Sequence, residues 1–231
     1  MSSRNLKRLA VLVIAAAGVV AVVIAIAAPR DPAAPAPAEQ QAQTTSLFTG
    51  IPQDDIVLGA PRAPATLTEF ADLQCPFCAE YAREVLPAVV DRYVRTGRLR
   101  LELKLLAFLG DDSLRGGRMA AAAASQDRLW PFVDAFYRNQ GPENSGYADD
   151  AFLQRVGTAA GLDVATALRD RDAPRASGWL ASAQRDADRL RIKGTPAFAL
   201  RVGSGTPVPV QPRELTPESF AAALDAALAA H

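Results

Sequence analysis

The stretch Glu69-Phe70-Ala71-Asp72-Leu73-Gln74-Cys75-Pro76-Phe77-Cys78 holds both cysteines of a 231-residue chain, three positions apart. Upstream, Ala65-Thr66-Leu67-Thr68-Glu69-Phe70-Ala71 reads as a short strand bounded by Gly59, Pro61 and Pro64. Downstream, Tyr81, Val85, Leu86, Val89, Val90 and Tyr93 recur at three- and four-residue spacing, which predicts an amphipathic helix ending at Gly97. Pro87 inside that pattern predicts a kink, because the apolar face continues beyond it. The cysteines therefore fall between a strand and the first turn of a helix. Helical spacing puts both sulfurs on one face, within reach of a disulfide, and places Cys75 where free backbone N–H groups and the helix dipole favour a thiolate. Pro76 suits the next position, since its ring presets the helical φ and its missing N–H is not needed there. Cys75 is thus the expected nucleophile and Cys78 the resolving thiol. As a structural staple so short a loop would contribute only roughly 2 kcal/mol. A zinc site lacks its other ligands, because there is no second cysteine pair and the one histidine is the terminal His231.

Beyond Gly97, Leu99, Leu101, Leu103 and Leu105 alternate with Arg100, Glu102 and Lys104, the pattern of a strand with one covered face. Strand, helix and strand in succession predict a parallel β-α-β unit. Helical patterns then fill about 112–191, at Met119–Ala124, Trp130–Tyr137, Ala151–Ala160 and Ala173–Arg191, punctuated by Gly141-Pro142, Gly146 and Gly161. Strand signals return at Ala197–Val202 and Thr206–Val210 around Gly203-Ser204-Gly205, a tight hairpin. Thr216-Pro217-Glu218 opens a last helix with Phe220, Leu224 and Leu228 as its apolar stripe.

Leu9 to Ala28 is an unbroken run of twenty apolar or glycine residues behind Arg4, Lys7 and Arg8. A span of about 20 residues crosses a bilayer, whereas the apolar core of a cleaved signal peptide is about 7–15 residues long. Residues 1–28 are accordingly expected to be a signal-anchor with the body exported; a cut after Ala25-Ile26-Ala27 is the alternative. Residues 29–47, with Pro32, Pro35 and Pro37 and then a Gln-rich run, lack periodicity and read as a tether, and the folded part begins near Phe48 and fills 48–231. Of 25 basic and 25 acidic side chains, three basic ones precede Pro29, so the body carries 22 against 25, a net of −3. That balance argues against nucleic-acid binding, which needs clustered positive charge. A single terminal histidine excludes Ser-His-Asp and Cys-His catalysis and His-ligated metal sites.

With Gly194-Thr195-Pro196-Ala197-Phe198 about 120 residues after the cysteines, the chain resembles the DsbA-like disulfide oxidoreductases of thioredoxin fold, in an exported, membrane-anchored form. Trp130-Pro131-Phe132 and Asn139-Gln140 fall in positions familiar from that family, and the resemblance runs from Ile56 to about Leu228. It implies an α/β thioredoxin core interrupted by a helical subdomain and preceded by a transmembrane helix. It also implies thiol–disulfide exchange on cysteines of exported proteins, no organic cofactor within the domain, and recycling by a separate membrane redox partner. Thr195 and Pro196 match a loop in which the proline is cis, packed against the disulfide, with backbone that pairs with substrate. Glu69 matches a buried acid beneath the disulfide, whose raised pKa would let it handle the Cys78 proton. Trp130 and Trp179 are expected in the core. Phe77 departs from the strong oxidants of the family, which have histidine there; it brings neither charge nor donor.

The chain is therefore expected to be a dithiol oxidase that exchanges a Cys75–Cys78 disulfide with substrate thiols, supported by Pro76, Phe77, Glu69, Thr195 and Pro196. A reductase, isomerase or cytochrome-maturation thioredoxin is the alternative within the class. A peptide-binding, chaperone-like module with an inert disulfide is the alternative outside it.

Overall fold

In a computed structural model the described residues are 47–230. The apolar run Leu9–Ala28, the tether up to Ser46 and His231 lie outside them. Among the described residues no helix is long and apolar enough to cross a membrane. Strands β1 (Gln53–Asp54), β2 (Val57–Leu58), β3 (Ala65–Ala71), β4 (Leu99–Leu105), β5 (Ala197–Val202) and β6 (Val208–Val210) form one sheet in the order β1-β2-β4-β3-β5-β6. β3 and β4 pair in parallel, with the intervening helix as crossover, and β3 and β5 pair antiparallel. The strand that leads into the cysteines is thus hydrogen-bonded on both edges, and six of its seven residues are buried. This is the α/β thioredoxin fold.

The expected helix after the cysteines is observed, starting at Pro76. It runs as α turns at Pro76–Glu80 and Leu86–Val89, each followed by a wider π turn, Tyr81–Val85 and Val90–Val94; together these are α1. Pro87 cannot donate to the preceding turn. The backbone answers by changing helical register: the N–H of Leu86, just before the proline, bonds to Tyr81 O, five residues back. Gly97, at φ 71°, ends the segment in the left-handed conformation that glycine adopts freely.

The helical insertion comprises α2 (Asp111–Ala124), α3 (Leu129–Arg138), α4 (Asp150–Ala159), α5 (Val164–Asp170) and α6 (Pro174–Arg189); α7 (Pro217–Ala229) closes the chain. α5 went unread in the sequence, because its seven residues bury only Ala167. β4 buries its four leucines as expected, but the opposite face is not open. α6 lies across it: Phe70 and Leu106 cluster with Ala183 and Ala187, and Lys104 Nζ stands 2.7 Å from Asp186. The hairpin is shorter than expected, since β6 begins at Val208. Trp130 is a core residue, its Nε1 donating to Ile56 O at 3.1 Å, whereas Trp179 is only partly buried and lines a surface cavity of about 250 Å³. Two π turns and the very short β1 and β2 are the other features that periodicity could not supply.

Candidate active site

Cys75 is the N-cap of α1, with extended backbone (φ −68°, ψ 118°), and Pro76 follows as the first helical residue. The two cysteines are present as free thiols. Cys75 is 5% exposed and its Sγ donates to Thr195 O at 3.2 Å; Cys78 is fully buried. The sulfurs differ sharply in acidity. The hydrogen bond from the Cys78 thiol does most to hold Cys75 down at about 6; burial opposes it, and the Thr195 side chain and the backbone N–H groups of Cys78 and Phe77 assist. Cys78 is pushed well above the ordinary thiol range, first by burial, then by its bond to Cys75 and by the charges of Cys75 and Glu69. One sulfur is thus a thiolate near neutral pH and the other keeps its proton.

Beside Cys75, the Thr195–Pro196 peptide bond is cis and leads directly into β5. Glu69 is buried in β3, opposite Leu103 of β4 and Phe198 of β5. Burial raises its carboxyl to about 8, and the Cys75 charge adds to the rise. Its carboxyl accepts no hydrogen bond from the described residues. Phe77 points away from this interior. It is 59% exposed and stands on the lip of a groove of about 680 Å³ that Thr195 and Pro196 also line.

A second layer of polar residues fixes the loop before Cys75. Asp72, fully buried, accepts from the N–H groups of Gln74 (2.9 Å), Phe108 (3.0 Å) and Leu109 (3.2 Å) and from the hydroxyl of Ser113. Tyr137 OH donates to Asp72 O at 3.1 Å. Gln74 Nε2 reaches Leu109 O, Ser113 Oγ and Asn144 Oδ1, while its Oε1 accepts from Asn144 N at 2.6 Å. Gln140 Nε2 donates to Leu73 O and Cys75 O at 2.8 and 3.2 Å. Asp72, Gln74, Ser113, Tyr137 and Asn144 were not singled out from the sequence. Partners that lie 39 to 70 residues apart carry no local spacing signal.

A thioredoxin fold that presents a low-pKa thiol at a helix N-terminus, with a second, buried thiol three residues on, is built for thiol–disulfide exchange. The chain is accordingly a protein disulfide oxidoreductase, a class its relatives define independently. The thioredoxin family's sequence model matches residues 52–225, three quarters of the chain, and the chain belongs to that family. A probable disulfide bond formation protein D of Bacillus cereus is 26% identical over 144 residues, covering 61% of this chain and 67% of the relative. The crystal structure of a thioredoxin-like oxidoreductase from Silicibacter pomeroyi DSS-3 is 28% identical, with a TM-score of 0.61 over 81% of this chain and 98% of its own. Wolbachia pipientis alpha-DsbA1 shares the fold at 19% identity, with a TM-score of 0.63 over 81% of this chain and 96% of its own. Within the family the chain thus shares its fold with DsbA proteins.

Proposed function

We propose that the protein is a dithiol oxidase of exported proteins, in which Cys75 exchanges disulfides and Cys78 resolves them. The observation that carries this reading is the unequal pair of sulfurs: Cys75 low in pKa and facing the cis Thr195-Pro196 loop, Cys78 buried behind it. In turnover a substrate thiolate attacks Cys75 Sγ of the Cys75–Cys78 disulfide. The S–S bond breaks and its electron pair leaves on Cys78, which takes up a proton. Glu69, neutral below about pH 8, is the acid placed to supply that proton. A second substrate thiolate then attacks the mixed disulfide at the substrate's own sulfur and releases Cys75 as a stable thiolate. The substrate has lost two electrons and the protein has become a dithiol. Stabilising the reduced form in this way favours oxidation of the substrate, which is why oxidase is preferred over reductase. A separate membrane oxidant would remove the two electrons.

The catalytic domain is extracytoplasmic. Leu9–Ala28 would hold it to the membrane, with residues 29–47 as a tether that lets the domain, 48–231, reach its clients. Full-length protein should then stay in the membrane fraction, with a body accessible to external protease. Recovery of a soluble exported form starting near Ala28 would identify the segment as a cleaved signal.

The cysteine roles are tested by trapping. Cys78→Ala should accumulate mixed disulfides with exported proteins, because Cys75 still exchanges and nothing resolves it. Cys75→Ala should trap almost none, and equal trapping by both variants would contradict the assignment. An inert structural disulfide would give no conjugates in either.

A further inference from the structure

The groove beside Cys75 has an apolar wall, including Phe77, Ile192 and Leu215, and its lining holds two charged residues, Arg191 and Lys193. Both are exposed and both positive, and neither has an ion-pair or hydrogen-bonded side-chain partner among the described residues. This is a local reversal of sign, since the body from Pro29 onward carries a net charge of −3. The end of α6 fixes their placement. Arg191 N donates to Asp188 O at 3.1 Å and Ile192 N to Ala187 O at 2.9 Å, closing the helix with Arg191 at φ 56°. That left-handed helix-end position is one that glycine fills without strain. An arginine occupies it and turns its charge to the groove. The C-terminal dipole of α6 favours a cation nearby, but it leaves the guanidinium and ammonium donors unbound and available.

The distance to the reacting sulfur is bounded by the chain itself. Lys193 is two residues and Arg191 four residues from Thr195, whose carbonyl lies 3.2 Å from Cys75 Sγ. At full extension those separations are at most ~7 and ~14 Å. A peptide joined to Cys75 through its cysteine would therefore bring side chains up to about four residues away over the two cations.

Resting on the oxidoreductase reading above, we propose that this groove selects client segments bearing carboxylate side chains within about four residues of the reacting cysteine. Arg191 and Lys193 receive the carboxylates, and the apolar wall takes neighbouring apolar side chains. Arg191 and Lys193 are thus specificity residues and take no part in the chemical steps.

The test uses three dithiol peptides that differ only in a flanking pair, Glu-Glu, Gln-Gln or Lys-Lys, together with versions in which Ser replaces Cys. Turnover by the protein, with oxidised glutathione as the recycling oxidant, and fluorescence anisotropy of the Ser versions are measured at about 0.02 M and about 0.5 M salt, because exposed charges are screened over that range. Wild type should prefer Glu-Glu over Lys-Lys by about tenfold at low salt, in kcat/KM and in affinity, as expected for two exposed ion pairs replaced by repulsion. The preference should fall towards one at high salt. Arg191→Glu/Lys193→Glu should invert it, and Arg191→Gln/Lys193→Gln should flatten it. Comparing variants with wild type on the same peptides removes the effect of the flanking charges on the peptide's own thiols. A preference that is absent, or identical in wild type and both variants, overturns the proposal. So does charge-dependent binding of the wild type to anionic phospholipid vesicles with no discrimination among peptides, which would assign the cations to a lipid surface. Failure of wild type to oxidise even the Gln-Gln peptide would count against the oxidoreductase reading, while the anisotropy series still decides charge selection.

Discussion

Glu69 and Asp72 are two carboxyl groups three residues apart, both out of solvent at 5% and 0% exposure, yet they sit in opposite surroundings. Asp72 accepts four hydrogen bonds, three from backbone N–H groups and one from Ser113. Glu69 accepts none from the described residues and its pKa rises to about 8. Burial by itself therefore does not mark a working acid. A buried carboxyl supplied with donors is a structural anchor, while one left without them keeps its proton. The cysteines above repeat the division: Cys75 is held as an anion chiefly by the hydrogen bond from the Cys78 thiol, and Cys78 is kept protonated by lack of solvent.

The comparison breaks most visibly at Asp72. Asp72→Ala removes the acceptor from four donors at once and should lower stability by about 4 kcal/mol, since each buried donor left unpaired costs ~1–3 kcal/mol. Thermal unfolding should fall by about 8–16 °C for a domain of this size. A loss below about 1 kcal/mol would show that the donors find other partners and that Asp72 is not the anchor.

Glu69→Gln should do the reverse, raising stability at neutral pH by about 3 kcal/mol, since the amide needs no proton to stay neutral when buried, while slowing disulfide exchange on the order of 10²-fold, the scale of general acid–base catalysis. The slowing should be greatest below about pH 8, where the native carboxyl is protonated. A variant as fast as wild type at pH 6–7 would remove Glu69 from the proton path.

The pH dependence of stability separates the groups by sign. Glu69 has a folded pKa of about 8 against an ordinary 4.5, so its proton stabilises the native state below 4.5, and that stability is lost as pH rises towards 8. Cys75 is depressed from 9.0 to about 6, so its contribution is present above 9 and lost as pH falls through 6. The disulfide form, in which only Glu69 titrates, should lose about 2 kcal/mol between about pH 5.5 and 7. The dithiol form should flatten above about pH 6 as the two slopes oppose, and Glu69→Gln should abolish the decline in the disulfide form. Chemical denaturation of both redox forms across this range measures each slope.

The smallest effect is expected on the exposed side. Phe77→His places an ionisable ring next to Cys75, where the native side chain offers no donor. Phe77 is 59% exposed, so solvent screens the new charge. The Cys75 pKa should fall by less than one unit and the reduction potential rise by about 10–20 mV, on the scale of ~30 mV per 1.4 kcal/mol. An unchanged pKa would mean that the side chain at 77 does not reach the sulfur.

Much of this arrangement was legible in the sequence because it is local. The alternation of four leucines specified β4, the three-residue spacing put both sulfurs on one helix face, and Pro76 marked the helix start. The cis bond before Pro196 was not legible from local chemistry, which favours trans; only the resemblance implied it. Asp72 and Gln74 could not be read because their partners come from the helical insertion, and hydrogen-bond pairing across that distance leaves no periodic trace. Lys104 misled in the same way: its strand seemed to have a free face until α6 was seen to cover it.

Thiolate absorbance of the reduced protein against pH reads out whether one thiol is a nucleophile near neutral pH while its neighbour keeps its proton. A single thiol should ionise with a midpoint near 6, the second should stay protonated beyond the ordinary 9.0, and Cys75→Ser should erase the first transition. Two thiols ionising together near 9, or a low-pH transition that survives Cys75→Ser, would contradict the account.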